Sequence, residues 1–154
     1  MQELDDSLMA FKDNSTPRDM LSPDNTREWE SLIEAPTWIY RSPYYYLFYS
    51  VGGCWTEDKY CVMVTRSLSL DLPFIKMQDA LQISNSIILS ANSNILAPGY
   101  RCVAIEVDHE YMLFHAGENG EDQNIINFDG RVILKRKLFM KELSYVNGWP
   151  LLYK

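Results

Sequence analysis

Apolar residues in this chain come in short runs separated by turn residues, without the three-to-four spacing of long amphipathic helices. Residues 37–40, 44–51, 60–65, 101–107, 110–115, 131–137 and 138–146 are rich in β-branched and aromatic side chains and predict strands. Arg41-Ser42-Pro43 joins the first two as a hairpin, Gly52-Gly53 begins the turn after the second, and Asp108-His109 makes a tight connection before Glu110. Residues 79–86 fit a short helix, although Ile83, Ile87, Ile88 and Leu89 fit a strand nearly as well. No predicted helix is long enough for a βαβ crossover. The first 33 residues are polar and acidic. Leu4, Leu8, Met9 and Phe11 supply one short strand, Pro17 and Pro23 break anything longer, and residues 27–31 allow a single helical turn.

This pattern implies an all-β fold of antiparallel strands: a sandwich, a barrel or propeller blades. WIYRSPYYYLFYS and CVAIEVDHEYMLFHA are each a strand, a short turn and an aromatic-rich strand ending in a small residue. Repetition over several tens of residues favours blades, and convergent hairpin grammar is the alternative.

Length and charge narrow the function. The 154 residues, 47% of them hydrophobic, suffice for one domain with its own core. A net charge of −7 disfavours nucleic acid and anionic membranes, and neutral polysaccharides fit better. The aromatic content of 13%, with 10 Tyr and 4 Trp, serves strands and ligand-stacking sites alike. Cys54, Cys61 and Cys102 leave an odd thiol and show no metal-ligand spacing, and His109 and His115 have no partner at such spacing. No metal or other cofactor is expected. The opening MQELDDS has neither the basic nor the apolar region of a cleaved leader, and no apolar run approaches the roughly 18 residues of a membrane span.

Candidate chemistry centres on residues 34–55. Glu34 precedes Ala35-Pro36, and the proline keeps its neighbour extended, so the carboxylate sits at the mouth of a strand, where a general acid could be mounted. The other reading is an exposed Glu at a strand entry. Tyr46, Tyr49 and Trp55 offer stacking faces for a sugar. The turn Ala97-Pro98-Gly99-Tyr100 could bring Tyr100 and Arg101 to the same end of the sheet, and Arg131, after Asp129-Gly130, could grip sugar hydroxyls or a carboxylate. Each also has an ordinary structural reading: a core or rim tyrosine, a surface ion pair. No GxSxG, P-loop, GxGxxG or HExxH motif is present.

The order Glu34-Ala35-Pro36, YYYLFYS with its Gly-rich turn, VTRSLSLDLPF, Ile88-Leu89, APGY, YMLFHA, DGR and GWP resembles glycoside hydrolase family 43 over roughly residues 30–152. That family contains arabinanases, arabinofuranosidases and β-xylosidases on a five-bladed β-propeller. The resemblance implies an inverting O-glycosyl hydrolase of arabinan or arabinoxylan, with Glu34 as general acid and Arg131 as a substrate contact. Inversion places the acid and base carboxyl groups about 6.5 to 9.5 Å apart, leaving room for the attacking water. Family members are commonly secreted.

Two departures qualify it. The family's general base and its pKa-tuning Asp belong to earlier blades, and none of Asp5, Asp6, Asp13, Asp19 and Asp24 stands in the DP-aromatic or DDDG context of those residues. Tyr100 stands where many members have a His near a metal or water. ELDDSLMAF resembles the last strand of the blade before the acid, so residues 1–33 read as the end of one blade with a connection, and residues 34–154 as the last two to three blades. The chain is then expected to be a partial propeller, inactive or weak alone, completed by another chain or copy. The alternative is a non-catalytic carbohydrate-binding or structural remnant.

Overall fold

The computed structural model describes residues 1–27, 29–53, 60–120 and 135–152, and the backbone of 126–128 and 131–133. Two antiparallel sheets dominate. The first runs β1 (Ile33–Arg41), β2 (Tyr44–Val51), β3 (Cys61–Ser67) and β4 (Ile75–Lys76), with β5 (Ile87–Leu89) also paired to β3. Between β4 and β5 lies the short helix α1 (Met77–Leu81), so the stretch that fitted either helix or strand contains both. The second sheet has the order β11, β10, β7, β6, built from β6 (Ile95–Glu106), β7 (His109–Glu118), β10 (Lys137–Val146) and β11 (Trp149–Leu152). A hairpin of β8 (Ile126–Phe128) and β9 (Arg131–Ile133) lies between β7 and β10 in sequence, shortening the strand expected over 131–137.

The period-two pleat assigns the core. Tyr46 and Phe48 of β2, with Val62 and Val64 of β3, face the second sheet and meet Ile95, Met112, Phe114, Ala116, Leu143 and Trp149. Tyr49 and Val51, with Cys61 and Met63, point the other way and are covered by Leu21, Trp29 and Ile33. β2 is therefore buried on both faces, which is why it reads as a continuous apolar run. Burial also pushes the Cys61 thiol up to about 12, leaving it a packing group.

Polar clamps tie the layers. Glu110, 8% exposed, takes Arg41 on Oε1 and the Tyr145 hydroxyl on Oε2 at 2.7 Å, and the Arg41 guanidinium lies 4.5 Å over the Tyr145 ring. Gly148, at φ 72°, gives its carbonyl to Tyr46 Oη at 2.7 Å and to Arg66, which is sandwiched between Tyr44 and Trp149. Glu30, 1% exposed, pairs with Lys76 and accepts from Gln78 at 2.9 Å, anchoring the opening segment to the first sheet.

That opening segment differs from expectation. Residues 4–11 form only an isolated bridge between Leu4 and Phe11, because Asp5 accepts from the Ser7 backbone and hydroxyl and turns the chain; Leu8 and Met9 are exposed. The turn expected near residue 27 exists as two backbone hydrogen bonds, Arg27 to Asp24 and Glu30 to Arg27, without a helix.

Candidate active site

Glu34 lies near the start of β1, where the pairing with β2 slips between Glu34 and Thr37. The slip is a bulge: Ala35 takes φ 49°, in the left-handed region that L residues avoid, and Pro36 follows. β6 repeats the device. Its pairing shifts on both sides of Gly99, with Ala97 at φ 45° and Tyr100 at φ 49°. The two Ala-Pro bulges stand at the openings of the first strands of the two main sheets, and both re-aim side chains toward one end of the layer between them. The sequence suggested a turn at residues 97–100; in the structure these residues lie inside β6, and the turn that joins it to β7 is at Val107-Asp108.

Around Glu34 the two sheets build one cluster. Tyr60, fully buried just before β3, donates its hydroxyl to Glu34 Oε1 at 2.7 Å. The Tyr60 ring lies against Gly99 so closely that a Cβ there would fall within it, 2.6 Å from Cζ. Arg101, 4% exposed, donates Nη1 to Ser50 Oγ at 2.8 Å, and Ser50 also accepts from the Tyr100 backbone at 3.1 Å. Nε and Nη2 of Arg101 are buried without a hydrogen-bond partner among the described residues, and burial pushes this guanidinium down to about 9, opposed by Tyr60, Tyr49 and Glu34. Thr37 Oγ1 donates to the Arg101 carbonyl at 2.9 Å, bracing β1 against β6.

Arg136 closes the far side. It donates Nε to His115 Nδ1, Nη2 to the Ala97 carbonyl, and Nη2 to the His115 carbonyl at 2.8 Å, with its guanidinium 5.6 Å from the Tyr60 ring centre. Burial first and the Arg136 charge second lower the His115 pKa, so its imidazole is held neutral. Tyr100, 61% exposed, stacks on His115 at 5.4 Å.

On its other side Glu34 borders a cavity of about 410 Å³ beneath the opening segment, walled by Leu21, Trp38, Leu47, Tyr49 and Phe74. Asp19 also lines it. A half-buried carboxylate on a stiff bulge, clasped by one hydroxyl and bordered by open volume, can pass a proton to a ligand oxygen.

The other expected residues fare differently. Tyr46 and Tyr49 are each 2% exposed, their rings packed into the two core clusters, so neither offers a stacking face; the exposed rings nearby are Trp38, Tyr40 and Tyr100. Trp55 and Asp129-Gly130 lie outside the described residues, and Arg131 is placed only as the first residue of β9. Arg101 joins the cluster, although from inside β6 and not from a turn. Tyr60, Ser50 and Arg136 carried no sequence signal of their own. Among the described residues no three His, Cys, Asp or Glu gather to hold a metal, and the donors fit a resident cation poorly: Tyr100 brings a phenol, His115 gives Nδ1 to Arg136, and two guanidinium groups border the same end.

Comparison with known proteins places this geometry in a family. The model of Glycosyl hydrolases family 43 matches residues 1–150. The probable arabinan endo-1,5-α-L-arabinosidase B of Aspergillus flavus is 29% identical over 131 residues, 78% of this chain and 34% of that protein. The arabinan endo-1,5-α-L-arabinosidase B of Emericella nidulans is 25% identical over 129 residues, 77% of this chain and 30% of that protein. Among solved structures, a thermostable family-43 glycoside hydrolase superposes on 99% of this chain with a TM-score of 0.72 at 19% identity, and the Cellvibrio cellulosa α-L-arabinanase complexed with arabinohexaose on 97% with 0.69 at 20%. The chain spans about a third of the curated relatives and just under half of the solved ones. With its whole core inside the matched span, the chain belongs to glycosyl hydrolases family 43.

Proposed function

We propose that this chain is the acid-bearing part of a glycoside hydrolase that cleaves arabinan or arabinoxylan-like polysaccharide with inversion, Glu34 serving as general acid. The observation that carries the reading is the Glu34 carboxylate, fixed on a bulged strand and held by buried Tyr60 at 2.7 Å, in a chain of this family. In the proposal, Glu34 protonates the leaving oxygen while a base on the opposite face of the sugar activates water. Tyr100 and Arg131 are assigned to substrate contact, the exposed Tyr100 ring as a stacking surface.

The base and its supporting Asp are assigned to other parts of a five-bladed propeller, of which the two main sheets are read as blades. Exposed Leu138 and Met140 on β10, at 73% and 63%, support a further sheet or chain covering that face. The 154-residue chain alone is then expected to be inactive or very weak. The test is hydrolysis of an aryl arabinofuranoside or xyloside and of linear arabinan. Any turnover should disappear in Glu34→Gln, and turnover that survives that change would refute the assignment.

A second reading, a non-catalytic sugar-binding remnant, is favoured by the acidic residues of the opening segment. Asp5 is engaged with Ser7, and Asp24 with Thr26 and Arg27, in local turns. Arabinan binding with no turnover under any assembly of the chain would select it.

A further inference from the structure

We infer that Tyr60 is the positioning residue of Glu34: it holds Oε1 and leaves Oε2 as the oxygen that carries the proton. This rests on Glu34 acting as the general acid. A carboxyl group on a two-methylene stem rotates freely about its last bond, and an acid that presents either oxygen at random is aligned only part of the time. Here one oxygen is taken. Tyr60 Oη donates to Oε1 at 2.7 Å from a fully buried ring. The bond survives both protonation states, because Oε1 accepts as a carbonyl-type oxygen of the acid and, more strongly, as an oxygen of the carboxylate. As the glycosidic C–O bond breaks, its electron pair stays on the leaving oxygen, which takes the Oε2 proton. The water that replaces it at the anomeric carbon gives its proton to the base of the proposed mechanism, and the new carboxylate charge is met at Oε1 by Tyr60.

Tyr60 can do this only because the second sheet makes room for it. Its ring lies over Gly99, where a Cβ would approach Cζ to 2.6 Å, and Arg136 borders the ring while donating to the Ala97 carbonyl. The bulge of β6 is thus the seat of the residue that aims the carboxylate on the bulge of β1. Gly99 serves the site through Tyr60, although it touches no carboxylate.

The experiment compares the wild-type chain with Tyr60→Phe, which keeps the ring and removes the hydroxyl, and with Gly99→Ala, which displaces the ring. The first readout needs no turnover. The Glu34 side-chain carboxyl ¹³C signal, assigned by its loss in Glu34→Gln, should carry an isotope effect from deuterating the Tyr60 hydroxyl and should move in Tyr60→Phe while other glutamate signals stay. Near-UV circular dichroism identifies folded variants, so a misfolded Gly99→Ala leaves Tyr60→Phe as the deciding protein. The second readout is hydrolysis of aryl arabinofuranosides of graded leaving-group acidity. Tyr60→Phe should lower kcat on the order of ten- to a hundredfold for poor leaving groups, with KM nearly unchanged and the deficit closing as the leaving group needs less protonation. An unmoved Glu34 signal in Tyr60→Phe overturns the inference, as does unchanged kcat beside an inactive Glu34→Gln. Measurable wild-type turnover that survives in Glu34→Gln overturns the acid assignment itself.

Discussion

Replacing Arg101 by Met should make this protein more stable, against the usual direction of core substitutions. Arg101 is 4% exposed and, among the described residues, makes one side-chain hydrogen bond, to Ser50, while Nε and Nη2 are buried without partners there. Each unpartnered buried donor costs about 1–3 kcal/mol, so the two together cost about 2–6 kcal/mol. The charge-assisted bond to Ser50 returns about 1.5–3 kcal/mol, and Ser50 keeps a partner in the Tyr100 backbone after the change. Met fills similar volume without a charge, and exchanges of buried charge for well-packed apolar groups gain about 1–4 kcal/mol. The expected gain is about 2 kcal/mol, measured as a shift of the urea midpoint at constant slope. The pH dependence gives a second check. Burial pushes the folded guanidinium from its ordinary value down to about 9, so the folded state releases this proton before the unfolded chain does. The penalty is therefore complete below about pH 9 and is relieved as pH rises above it, and the advantage of Arg101→Met should shrink there. A loss of 1 kcal/mol or more in Arg101→Met would refute the reasoning.

Two further predictions concern the buried ions. Lys76→Met leaves the Glu30 carboxylate, 1% exposed, with Gln78 and a more distant Arg27, and should cost about 3–5 kcal/mol in urea unfolding, far more than a surface pair of the same kind. His115 is held below its usual 6.5 by burial and by Arg136, so its contribution to stability is complete above pH 6.5 and is lost as pH falls through the lowered folded value. His115→Phe should flatten the decline in thermal midpoint below pH 6.5, and an unchanged slope would exclude His115 as its source.

What the sequence revealed depended on how local each cause was. β2 was readable to its exact ends because its residues are buried on both faces and bounded by Ser42-Pro43 and Gly52. The first half of β6 was hidden, since Ala-Pro-Gly-Tyr has turn composition and only pairing with β7 turns it into a bulged strand. Leu4 to Phe11 had strand composition but lacked a neighbour to bury it, and the Asp5 turn prevailed over four apolar residues. β11 contains Pro150, which a central strand would exclude; at the sheet edge, opposite Tyr145, it is tolerated.

The same rule of locality governs the candidate site. Ala35-Pro36 marked the place of Glu34 in the sequence, but for another reason than the extended backbone expected: Ala35 lies at φ 49°, in a left-handed bulge. Tyr60 is 26 residues away, and Gly99, which admits its ring, stands on the other sheet; no spacing within one strand connects the three. The second Ala-Pro pair was visible in the sequence, but its likeness to the first lies in backbone conformation: φ 49° at Ala35 and 45° at Ala97, each inside a register shift. Two bulges of one kind, opening the first strand of each main sheet, set a carboxylate on one side of the inter-sheet layer and its tyrosine's seat on the other. A change to the β6 bulge should therefore act on Glu34 from the opposite sheet, and Gly99→Ala, which touches no charged group, should disturb the carboxylate more than replacement of exposed Asp71 at the rim of the first sheet.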